Sequence, residues 1–117
     1  MAATNDSANY AAVSIAVLST TSRGNVTINS IDTTVNPLIS PNWLATIADQ
    51  EVAIAGFKRA RQIANATGVV VGSEYAPGPG TQTDSEILEF IKNTLAPIHH
   101  AVGTCKPSQY KAFSGLH

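Results

Sequence analysis

Cysteine is nearly missing from this sequence. Cys105 stands alone among 117 residues, which excludes an internal disulfide and a zinc site built on thiolates. Charge is also scarce. Charged residues make up 13% of the chain and the formal net charge is −1. No like-charged run is present to mark a nucleic-acid surface or an acidic substrate. No apolar run reaches the roughly 20 residues of a membrane-spanning helix. The first apolar stretch, residues 11–18, has no basic segment ahead of it and alternates in polarity. It reads as a strand, not a secretory signal. In GVVVGSEYAPGPG, the glycine-rich run lacks the Lys-Ser/Thr of a phosphate loop and reads as a turn-rich connection. Sequons at Asn5, Asn25 and Asn65 are of a number that chance supplies in an Asn- and Thr-rich chain.

What is present is globular. Hydrophobic residues make up 44% of the sequence, enough for one domain with a modest core. In residues 11–19, Val13, Ile15 and Val17 share one face of a pleat. A loop follows, with Gly24 free to take positive φ, and NVTINSI then alternates again. The two runs read as an antiparallel pair. Residues 32–41 carry two prolines and no period, and read as a connection.

Two helices follow. Residues 42–66 contain no proline, with acidic residues in the first half and basic residues in the second, an order that suits the helix dipole. Their apolar positions form no single stripe, which implies cover on more than one side. Residues 83–96 carry a capping-box spacing, Thr83 to Glu86, and an apolar stripe of Ile87, Leu88, Ile91 and Leu95. Pro97 stops this helix. The element order predicts an α+β fold: a partial antiparallel sheet with two main helices packed on one face.

Beyond Pro97 lies IHHAVGT, read as a short extended segment. On a strand, adjacent residues face opposite ways, so His99 and His100 do not share one site. For the same reason they do not converge on one metal ion, and no metal site is expected. Taken alone, either histidine reads as structural.

Three pieces change that weighting by their order and spacing: Ser22-Arg23-Gly24 before a strand, Pro41-Asn42 before the long helix, and His100-Ala101-Val102-Gly103-Thr104-Cys105. Across residues 13–106 the sequence resembles the C-terminal, substrate-binding region of the glucose–methanol–choline oxidoreductases, FAD-dependent alcohol oxidases and dehydrogenases. The stretch 83–106 is most similar to a fungal dehydrogenase branch. The resemblance implies FAD as cofactor and a small-molecule alcohol as substrate, with no nucleic acid and no membrane as partners. It implies that His100 lies beside the flavin ring and takes the hydroxyl proton while hydride leaves the carbon. His99 is implied to line the substrate pocket, and Cys105 to be a small packed residue. A neutral imidazole suits that proton transfer near working pH.

The family pattern breaks after Lys106. PSQYKAFSGLH does not continue it, and no G-x-G-x-x-G follows a strand anywhere in the chain. The expectation is therefore a truncated form. Residues 1–106 would make a partial substrate-binding domain and residues 107–117 a disordered tail, with His117 playing no catalytic part. Such a chain would be inactive alone, leave a sheet edge open to self-association, and act, if at all, as a non-catalytic interaction module.

Overall fold

The computed structural model describes residues 7–99. Its elements are β1 (Asn25–Thr27), β2 (Leu38–Ser40), α1 (Ile47–Ala66) and α2 (Asp84–Thr94). The strands pair antiparallel, with Val26 opposite Ile39. The α+β class predicted from the element order is the one observed.

The strands differ from those predicted. Residues 11–19 form no ladder; Ile15 among them lies on a helix instead. A Cβ added to Gly56 of α1 would lie 3.0 Å from Ile15 Cγ2, so Ile15 rests on a position of α1 kept small. Farther back, the Tyr10 ring meets Tyr75 edge-on at 5.0 Å. The partner of β1 is β2, which lies within the proline-flanked stretch read as a connection. The turn between the strands is set by Asp32. Its Oδ1 accepts from the Thr34 N–H at 2.9 Å and the Thr34 hydroxyl at 2.8 Å, and its carbonyl accepts from the Val35 N–H at 3.1 Å. These bonds make an Asx turn.

Gly24 is needed here for a different reason from the one its sequence context supplied. A Cβ there would sit 2.2 Å from Ser40 O and 2.6 Å from Pro41 O. Close backbone approach demands the glycine.

Helix α1 begins five residues later than its composition predicts. Asn42 (φ 49°) and Leu44 (φ 54°) both take left-handed backbone, which no helix continues. Thr46 is the N-cap, its hydroxyl accepting from the Asp49 N–H at 3.3 Å. Helix α2 starts where predicted. The Thr83 hydroxyl accepts from the Glu86 N–H, and the Glu86 carboxylate accepts from the N–H groups of Thr83 (2.8 Å) and Gln82 (2.9 Å). The helices pack on each other. Ile87 is 1% exposed, and Phe57 meets Phe90 edge-on at 5.8 Å. Arg61 lies 4.7 Å over the Phe57 ring and pairs bidentately with Glu74 at 3.0 and 2.7 Å, tying the loop after α1 to the helix. Lys58 pairs with Asp84 at the surface.

Among the described residues the buried apolar core is small: Leu44, Ala53 and Ile87. All six strand residues are exposed.

Candidate functional site

Two of the sequence pieces come together around the start of α1. The Asn42 side-chain amide donates to the Arg23 carbonyl at 2.9 Å. Ser22 Oγ accepts from the N–H groups of Ala45 (2.9 Å) and Thr46 (3.2 Å). Asp49, 2% exposed, accepts from the Thr21 N–H and hydroxyl on Oδ1 (2.8 and 2.9 Å) and from the Ser22 N–H on Oδ2 (2.7 Å). Ser22-Arg23-Gly24 and Pro41-Asn42 are thus two halves of one knot that fastens the chain entering β1 and the chain leaving β2 to the first turn of α1.

The Ser22 hydroxyl, the Thr21 N–H and the remaining donors of this pair of residues hold the Asp49 carboxyl far below the usual carboxylate range. Both its oxygens are engaged, so Asp49 acts as a fastener and not as an acid or base. Sequence reasoning placed Asp49 only as a charge near a helix start. The sharper signal was the Thr46-x-x-Asp49 spacing, which is that of a cap. The Arg61–Glu74 pair joins residues on different elements and left no local signal.

The third piece follows α2. The Leu95 N–H closes the helix onto the Ile91 carbonyl at 2.8 Å, and residues 95–98 run without helix or strand. His99 is exposed, with φ 60°. The chain bends there, so the segment is not extended at that residue. His100 and Cys105, and with them most of the H-x-x-G-T-C stretch and the tail 107–117, lie outside the described residues. The structure therefore brings the first two pieces together, while the third lies outside the described residues and only His99, the residue before it, is seen.

At Gly68 and Gly72 an added Cβ would meet nothing within 4 Å, so both glycines face open space. An open depression of about 310 Å³ lies along α2 between Ser85, Leu88, Glu89, Lys92 and Asn93, and His99 does not line it. No group of three or more His, Cys, Asp or Glu residues able to hold a metal occurs among the described residues, and no described helix is long and apolar enough to cross a membrane.

The knot and the capped α2 belong to one continuous match. The family model described as GMC oxidoreductase, its C-terminal portion, covers residues 20–110, from the knot through the H-x-x-G-T-C stretch and past Lys106. The chain belongs to the GMC oxidoreductase family. It is 43% identical over 104 residues to a patulin synthase of Penicillium expansum, a match covering 86% of this chain and 17% of that protein. It is 47% identical over 103 residues to a versicolorin B synthase of Aspergillus parasiticus, covering 86% and 16%. Oxidoreductase cicC of Emericella nidulans is 43% identical over 107 residues, covering 89% and 18%. This GMC chain spans 16–18% of the length of these curated relatives. Members of the family are generally FAD-dependent and act on small molecules, and these relatives are fungal.

Proposed function

We propose that this chain supplies the substrate side of an FAD-dependent alcohol oxidoreductase and is inactive alone. One observation carries the reading: a family match that runs unbroken through residues 20–110 and so includes His100 to Cys105. In this proposal the His100 imidazole accepts the alcohol's hydroxyl proton and His99 lines the pocket. A neutral imidazole is poised for that transfer near pH 7. The redox chemistry belongs to FAD.

Two measurements test the reading. The purified chain mixed with FAD is expected to retain no flavin after gel filtration and to oxidise no alcohol with an artificial acceptor. A GMC polypeptide that holds flavin but lacks this segment, co-expressed with the chain, is expected to regain alcohol oxidation. His100→Ala should lower the regained kcat by about 10²- to 10⁴-fold, the range for a lost general base, with flavin retention unchanged. Flavin bound by the chain alone, or full activity with His100→Ala, refutes the proposal.

A non-catalytic interaction module is the second reading. The observation favouring it is the hairpin, whose two strands bury nothing among the described residues.

A further inference from the structure

We infer that Tyr10 and Tyr75 form an oxidative crosslinking site, at which a peroxide-driven one-electron oxidant joins the two rings through a carbon–carbon bond. The inference stands on this contact alone and does not require the catalytic reading above. The rings meet edge-on with centroids 5.0 Å apart, so an edge of one already touches the other. Both are open to solvent, Tyr10 at 49% and Tyr75 at 65% exposure, and an oxidant can reach each phenol.

Each ring is carried on an anchored segment. Tyr75 follows Glu74, whose carboxylate is gripped by Arg61 of α1 at 3.0 and 2.7 Å. Tyr10 precedes Ile15, which lies on Gly56 of the same helix. Helix α1 is thus the common frame for both rings. The pair of Phe57 with Phe90 is also edge-on, but it has no phenol to oxidise.

In the step, each phenol gives one electron and one proton to the oxidant and becomes a phenoxyl radical. The radicals join at ring carbons ortho to the oxygens. The two hydrogens on those carbons move to the oxygens and restore both phenols. Hydrogen peroxide takes up the two electrons and two protons and leaves as water. The product is a covalent strap between residues 10 and 75 that encloses β1, β2 and α1. It restricts the unfolded chain as a disulfide does, in a protein whose lone cysteine forms no internal disulfide.

The test treats the full chain at micromolar concentration with a haem peroxidase and hydrogen peroxide. A Tyr110→Phe background leaves only the two tyrosines of the pair. Dityrosine fluorescence is expected in a product that stays monomeric under denaturing conditions, with a yield independent of protein concentration. Trypsin should release residues 1–23 joined to residues 62–92, lighter by two hydrogen atoms than the two peptides together. The strapped chain should melt at a higher temperature than the untreated one. Tyr10→Phe and Tyr75→Phe keep a ring in place and remove the phenol. Each should lower dityrosine formation about 10²-fold, the ratio of a millimolar effective concentration to a micromolar one, and leave the helical circular dichroism unchanged. Treatment in denaturant should lower the yield severalfold, because the anchored contact is lost. A chain that forms no dityrosine overturns the inference. So does dityrosine found only in covalent dimers with a yield that rises with concentration, or a yield equal in denaturant.

Discussion

The helical pair and the hairpin are held by different means. Between α1 and α2 the contacts are side chain on side chain: Ile87 buried, Phe57 against Phe90, Arg61 over Phe57. Each helix also satisfies its own first turn, through Thr46 and through the Thr83–Glu86 box. The hairpin has no buried side chain of its own. It is held by backbone approach at Gly24 and by the Asp49 knot, both of which depend on the start of α1. The helices can therefore persist without the hairpin, whereas the hairpin cannot persist without the helices. Local propensity and apolar packing make the first region self-supporting, and polar fastening makes the second a dependant.

Substitutions can break that asymmetry in order of size. Ile87→Ala removes the one fully buried large side chain among the described residues and should destabilise the protein by about 2–5 kcal/mol. Thermal melting should show the helical and hairpin signals lost together. Gly24→Ala drives a Cβ into the backbone of Ser40 and Pro41, a clash of the size that costs about 1–3 kcal/mol in overpacked sites. Amide hydrogen exchange should then show protection lost in residues 25–40 and kept in α1 and α2. If the helices lose protection equally, the hairpin is not a dependant.

A smaller change needs no substitution. Hydrogen bonding lowers the carboxyls of Asp49 and Glu86 below their ordinary values. The folded-state pKa values therefore lie below the unfolded ones, and the stabilisation is fully present above the unfolded values, near pH 4. It is lost as pH falls toward the folded values. Exchange measured between pH 5 and pH 3, corrected for intrinsic rates, should show the hairpin loosening, because Asp49 is its fastener. α2 should weaken only at its first turn, where Glu86 caps it.

How much of this was legible follows the same divide. α2 was readable nearly to the residue, because Thr83, Glu86 and Pro97 are local signals and its stripe has a helical period. The start of α1 was not, since Asn42 and Leu44 take left-handed backbone although neither is a glycine. β2 was hidden by Pro37 and Pro41, which flank it and read as loop punctuation. The alternation of residues 11–19 misled because a strand and an extended segment lying on a helix share one pattern; only Ile15 against Gly56 distinguishes them. Gly24 was singled out, yet its reason lies in a backbone fifteen or more positions away in sequence. For the candidate site, the three pieces were legible as spellings, and the joining of the first two into one knot needed coordinates. Just ahead of the third piece, His99 sits at a bend that an extended reading does not contain.

The bidentate grip of Arg61 on Glu74 has an outcome for a cut chain. Protease cleavage in the exposed valines at 69–71 would sever the covalent path between the helices on the α1 side of that grip. Glu74, Phe90 and Ile87 would all remain on the downstream piece and still dock on α1. The nicked molecule would run as two bands under denaturing conditions and elute as one particle under native ones.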